Sequence, residues 1–270
     1  MVEFLGLLFL AFLFEFIDSV IGMGYGTSLT PILILFGFPA SKIVPCILFS
    51  EFIAGILAGI LHHKFGNVNF DFRRDEKIVL KRLSGLGYIP RSFDAKISYF
   101  LIIFGVIGAT ISSFLSINIS KKIVNFYIAL MVTGIGIYIL INLRKKILFK
   151  WKTFLFIAFL SGFNKGISAG GYGPLVAGGQ IISGRSAKSS IGTTSLSEGI
   201  VCFVSILVYI IFQKGIDFKI ALPLLIGASL STPFSAIFVK KTPEKNLKTL
   251  IGIIILLLGI SNFMKFFNLF

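Results

Sequence analysis

Two glutamates stand inside apolar stretches at matched positions, Glu51 in "VPCILFSE" and Glu198 in "SIGTTSLSE". A carboxyl group at bilayer depth is costly as an anion, so it exchanges a proton near neutral pH, the chemistry that a proton-coupled carrier needs. The plainer reading is that the pair ties helices together through hydrogen bonds. Asp18 and Lys165 form a second matched pair, each just ahead of a glycine-rich run: "IGMGYG" at 21 to 26, and "GISAGGYG" at 166 to 173. An intramembrane charge is unfavourable unless it is paired or functional.

Gly-Tyr-Gly also lines potassium-channel filters. Such a filter needs a pore helix before the tripeptide and an outer loop after it. Here a full-length apolar span leads into Gly22, and "TSLTPILILFG" continues apolar after Gly26, so the filter reading is set aside. Successive glycines at bilayer depth instead interrupt a helix and free backbone N–H groups. The start of the next short helix then presents unpaired donors and a positive dipole end, which suits an anion. The candidate binding backbone is Gly22, Gly24, Tyr25 and Gly26 in the first run, and Gly170, Gly171, Tyr172 and Gly173 in the second. Lys165 adds a full positive charge beside the second run, unless it snorkels or pairs with Asp18. Asn164 and Ser168 are candidate neutral contacts, and Thr194 and Ser195 put hydroxyls near Glu198. Asp18 joins Glu51 and Glu198 as a candidate for proton coupling. The competing reading of the glycines is close helix packing.

The elements that would position these residues are membrane helices. The chain has 270 residues, 56% of them hydrophobic and only 14% charged, more apolar surface than a soluble domain hides. Long apolar runs recur at 4 to 21, 97 to 117, 123 to 143, 218 to 239 and 247 to 264. Glu3 stands where a signal peptide would carry basic residues, so the first run is read as a retained span. The net charge of +15 comes from Lys and Arg in the loops, which argues for orientation in a membrane and against nucleic acid.

The sequence aligns with itself at an offset of 147, which places Gly24-Tyr25-Gly26 on Gly171-Tyr172-Gly173 and Ser50-Glu51 on Ser197-Glu198. Further on the offset drops to 119, where Gly108-Ala109 meets Gly227-Ala228 and Lys121-Lys122 meets Lys240-Lys241. The polar stretch 66 to 96 accounts for the difference as an inserted loop. The expected organisation is a first repeat at 1 to 143, a basic linker at 144 to 152 and a second repeat at 153 to 270. Each repeat holds one long apolar run, a glycine break, a short apolar piece (24 to 36; 172 to 182) and three longer helices. The fold class is an all-α polytopic membrane protein with 8 to 10 membrane segments.

If the short pieces cross, the repeats are inverted, both termini lie outside, and basic residues divide 19 inside to 6 outside. If they are re-entrant, the division is 16 to 9. The positive-inside rule favours the first arrangement, and both put loops 64 to 96 and 144 to 152 in the cytoplasm. Cys46 and Cys202 read as small core residues, His62 and His63 as markers of the membrane interface, and Arg185 and Lys188 as orientation signals. No nucleophile with a base and an orienting acid is apparent, so an enzyme is not expected, nor is a metal or cofactor site. No feature of the sequence encodes an oligomeric state.

The block "GISAGGYGPLVAGGQIISGRSAKSSIGTTSLSEG", residues 166 to 199, resembles the second repeat of the TauE/SafE sulfite-exporter family. Its partner is the stretch 21 to 68, which departs from the pattern at Met23 and Tyr25, where glycines are common. The resemblance implies a transporter of a prokaryotic plasma membrane that moves small sulfur-containing anions, sulfite or sulfonates, outward. Its partners are then a small anion and the lipid bilayer. Duplication and glycines also permit a passive anion channel or a non-transporting membrane scaffold.

Overall fold

In the computed structural model, the described residues are 2–71, 90, 92–115, 121–145, 147–168, 172–212 and 215–266. Ten helices and no strands occur among them: α1 Val2–Ile21, α2 Tyr25–Leu35, α3 Ala40–Lys64, α4 Phe93–Leu115, α5 Lys121–Ile141, α6 Trp151–Ser168, α7 Tyr172–Ile182, α8 Ala187–Phe212, α9 Phe218–Lys241 and α10 Glu244–Phe266. Among the described residues, five segments are long and apolar enough to cross a membrane: Glu3–Ile21, Ala40–Lys64, Ala187–Leu207, Phe218–Lys241 and Glu244–Met264. The protein is therefore an all-helical membrane protein.

The first glycine break is a true interruption. Gly22 has φ +77° and Gly24 has φ +128°, conformations that an L side chain resists, so α1 ends there and α2 starts afresh at Tyr25. Tyr25 is thus the first residue of a helix and takes no part in an extended carbonyl ladder. Residues 169–171 of the second break lie outside the described residues. The short helices α2 and α7 have 11 residues each, about 16 Å of rise, well under the ~30 Å hydrocarbon core.

Side-chain contacts give the helix directions. Phe12 meets Phe234 and Phe16 meets Phe238, so α1 and α9 run the same way. Phe49 meets Phe218 and Asn67 reaches Ala236, so α3 joins them. Trp151 meets Phe100 while a Cβ on Gly108 would touch Phe163, which makes α6 parallel to α4. Asp94 pairs with Arg185 just ahead of α8, and Gly105 lies against Val201, so α8 runs with α4. Between the two sets, α3 crosses α8 in opposite directions, with Phe52 on Phe203 and His62 on Gly192. Likewise α5 opposes α10, with Phe126 on Phe263 and Leu140 on Gly252. Since α1 and α3 run the same way, α2 is the return leg between them. It begins beside the middle of α3, where the Tyr25 hydroxyl meets Ser50.

The connections α3–α4, α5–α6, α7–α8 and α9–α10 gather on one face. There Asp94 binds Arg185, the Lys150 N–H donates to Ser183 O (3.1 Å), and the Lys188 ammonium donates to Lys240 O (2.7 Å). The Glu244 carboxylate accepts the Ala187 N–H at the start of α8. The loop expected at 66 to 96 ends earlier than its composition suggests, because α4 starts at Phe93; residues 72–89 and 91 lie outside the described residues. The two lysine pairs also occupy different places: Lys121 opens α5, whereas Lys241 closes α9. A two-residue turn, Thr242-Pro243, joins α9 to α10, and residues 116–120 between α4 and α5 lie outside the described residues.

Glycine sets the crossing of α3 and α8. A Cβ on Gly55 would lie 2.8 Å from Ser195 O and 3.0 Å from Gly199 Cα, so α3 and α8 meet backbone to backbone. That crossing lies one helical turn beyond Glu51 and beside Glu198, and it brings the two carboxyl-bearing faces together.

Candidate functional site

Ala40 opens α3 and Ala187 opens α8, so Glu51 and Glu198 sit equally deep in their helices. Asp18 lies in the last turn of α1. Each of the three residues offers a carboxylate oxygen within 4.8 Å of the others, and all three are buried. Oxygens this close can share a proton or hold a hard cation. Cys202, one turn past Glu198, donates its thiol hydrogen to Glu51 Oε2 at 3.2 Å, a role that its reading as a small core residue did not include.

The first glycine break meets the start of α7 beside these acids. A Cβ on Gly173 would approach Met23 Cβ at 2.7 Å and Gly22 O at 3.0 Å. One on Gly22 would lie 3.1 Å from Ala177 Cβ and 3.5 Å from Thr194 Cβ. Gly26 faces Glu51, with 3.6 Å between its virtual Cβ and Oε2. Gly22, Gly26, Gly173 and Thr194, four of the residues singled out in the sequence, thus lie around one buried centre, whereas Tyr172 packs toward Gly105 on α4.

The first short helix is capped from within the chain. The Tyr25 N–H donates to Asp18 Oδ1 at 3.1 Å across the break, so a carboxylate already occupies the leading donor of α2. This corrects the expectation that Tyr25 offers a vacant N–H to an anion. The Tyr25 hydroxyl is equally engaged: Ser50 Oγ spends its proton on Ile47 O and accepts from Tyr25 at 2.8 Å. Asp18→Asn retains a capping oxygen and is expected to preserve the melting temperature in detergent. Asp18→Ala removes the cap and is expected to cost about 0.5–2 kcal/mol; a thermal melt of the two purified variants checks this.

Other expected residues are placed differently. Thr194 donates to Ser190 O and accepts from Gln180 Nε2 at 3.0 Å, while Ser195 donates to Ile191 O. Their hydroxyl protons are held by the helix backbone; only the oxygen lone pairs face neighbours. Asn164 is buried in α6. The side chains of Lys165 and Ser168, and the whole of Gly170 and Gly171, lie outside the described residues.

Sequence reasoning missed Glu15. It is 1% exposed, one turn before Asp18; Oε1 accepts from Ser19 Oγ at 2.8 Å, and Oε2 is buried without a hydrogen bond among the described residues. Its counterpart at the 147 offset is Gly162, so no matched pair drew attention to it. Gln180 was also missed; its amide links α7 to α8 by accepting from Thr193 Oγ1 and donating to Thr194 Oγ1.

Two residues read as interface signals are interior. His62 is fully buried; its Nδ1 accepts from Asn67 Nδ2 at 3.0 Å, which leaves Nε2–H to donate to Ser19 O at 3.1 Å. Arg185 is 4% exposed, bonded to Asp94 and set over the Phe93 ring. Burial lowers its pKa to about 10 against the opposing pull of Asp94, so it remains a cation at neutral pH.

A membrane protein with ten helices among its described residues, two of them half-length and meeting at a glycine break beside buried carboxyl groups, has the architecture of a membrane transporter. Residues 7–74 and 78–262 match the family described as Sulfite exporter TauE/SafE, and the chain belongs to that family. It is similar to the "Probable membrane transporter protein YtnM" of Bacillus subtilis (strain 168), with 23% identity over 263 residues that cover 93% of this chain and 79% of that protein. No solved structure matches it.

Proposed function

We propose that this membrane transporter is a secondary carrier that exports small sulfur-containing anions, sulfite or sulfonates, across a prokaryotic plasma membrane. The substrate class follows the family's description. The observation that carries a carrier mechanism is the meeting of Gly22 and Gly173 beside Asp18, Glu51 and Glu198.

The two halves, 1–143 and 153–270 joined by the linker 144–152, are inverted repeats in this reading. Support comes from the directions: α1 and α3 oppose their counterparts α6 and α8, and α4 opposes α9. The face that gathers the four basic connections is cytoplasmic by the positive-inside rule, with both termini outside.

The halves carry opposite charges at their breaks. Asp18 caps the first short helix, and its counterpart Lys165 precedes the second. The anion therefore belongs to the second half. It is held by Lys165, the N–H groups of Gly170 to Gly173, and the neutral groups of Asn164 and Ser168, with Thr194 and Ser195 beside it. Glu198, Glu51 and Asp18 carry the coupling proton. Rocking of the halves about this centre exposes it to either face.

Counterflow in proteoliposomes tests the carrier reading. Internal unlabelled sulfite is expected to accelerate uptake of labelled sulfite, with saturation. Unitary currents in a planar bilayer without counterflow would establish a pore instead.

A further inference from the structure

A cavity lies away from the central acids, on the face that gathers the basic connections. It measures about 420 Å³ and is lined by the end of α5, the linker after it, the α7–α8 turn and the start of α10. Its charged residues are Lys145, Arg185, Lys248 and Glu244. Glu244 is already committed, since its carboxylate accepts the N–H groups of Ala187 and Lys188 and stands 3.6 Å from Lys248. Arg185 is half committed: Nη2 binds Asp94, whereas Nη1 is buried without a hydrogen bond among the described residues. A buried guanidinium N–H left unpaired is expensive, and a planar donor of this kind suits an oxyanion.

Much of the remaining lining is apolar, from buried Ile139 and Ile181 to an exposed edge at Leu148. Ile139 and Leu148 line the cavity, and Leu148 is 83% exposed at its edge. Basic groups above an apolar opening, at the end of a membrane helix pair, match an amphiphile better than a freely soluble ion. We propose that this cavity binds the phosphate of an anionic lipid headgroup from the leaflet on the basic face, with Arg185 and Lys145 on the phosphate and Lys248 at the rim. The site does not depend on which anion the central region carries.

The test uses purified full-length protein in neutral detergent, with binding read by native mass spectrometry. The probes are dioctanoyl phosphatidylglycerol, dioctanoyl phosphatidylcholine and glycerol 3-phosphate. Phosphatidylglycerol is expected to bind at least about fivefold more tightly than phosphatidylcholine, because each basic residue near an anionic headgroup contributes about fivefold in affinity. By the same measure, the double variant Lys145→Gln, Lys248→Gln is expected to bind it about 25-fold more weakly. Both substitutions lie near the surface, which avoids the folding risk of replacing buried Arg185. Equal binding of the two lipids, or undiminished binding by the double variant, overturns the site. Glycerol 3-phosphate binding as well as phosphatidylglycerol overturns the lipid assignment in favour of a soluble phosphate ester.

Discussion

Glu198→Gln is expected to abolish the response of sulfite flux to an imposed pH gradient, lowering the stimulated component at least about tenfold, while counterflow at equal pH persists. The substitution keeps the size and hydrogen-bonding capacity of a group that has Asp18 and Glu51 within 4.8 Å, and removes only its ability to lose a proton. The measurement needs a clamped membrane potential. One elementary charge crossing 100 mV is worth about 2.3 kcal/mol, against about 1.4 kcal/mol per pH unit. An inside-negative potential alone would therefore export an anion and mask a proton contribution. With the potential held at zero by a potassium ionophore, a gradient response that survives in Glu198→Gln removes Glu198 from coupling. If the wild type gives no response either, the acids are structural and the potential is the driving force. Glu15→Gln belongs in the same experiment, since Glu15 is buried one turn from Asp18 and shares its surroundings.

Gly173→Val is expected to reduce transport more than tenfold by forcing the start of α7 away from the first glycine break. Even the first carbon of a side chain at Gly173 would sit 2.7 Å from Met23 Cβ, 2.9 Å from Met23 Cα and 3.0 Å from Gly22 O. Most of those atoms are backbone, which cannot swing aside, and overpacking of this kind costs about 1–3 kcal/mol. Gly173→Ala is the milder form, and its partner change is Met23→Gly, which removes the nearest of the three contacts. The double variant is expected to recover part of the lost flux, whereas Met23→Gly alone leaves Gly173 as it was. Full activity of Gly173→Val would show that the two breaks separate freely during transport and that their meeting does not define the centre.

Much of the architecture is legible in the chain. Apolar runs predict helices because backbone groups in lipid must be satisfied within the segment. The matched Gly-Tyr-Gly runs coincide with the starts of α2 and α7 at Tyr25 and Tyr172. The carboxyl pair Glu51 and Glu198 stood out because both fell at one offset in apolar surroundings. Residues without a counterpart were harder to see. Glu15 has no acidic counterpart, and Phe38 stands opposite Arg185, so the offset could not reveal either as a buried polar group. Arg185 and His62 were read as surface signals because loop position and helix-end position usually mean solvent. Their partners Asp94, Asn67 and Ser19 come from other elements.

The sequence by itself determined an all-helical membrane protein whose first span ends at a glycine break and whose loops are strongly basic, since hydropathy, glycine and charge act over a few neighbouring residues. Only the tertiary structure decided that Asp18, Glu51 and Glu198 share one buried centre, that Asp18 closes the donor end of α2, and that Glu15 lies beside them. The meeting of Glu51 with Glu198 depends on how closely α3 and α8 approach, and hence on Gly55 meeting Gly199 across some 140 residues of chain. Local periodicity sets which face of a helix is apolar; the contact between two backbones sets which residues of those faces meet.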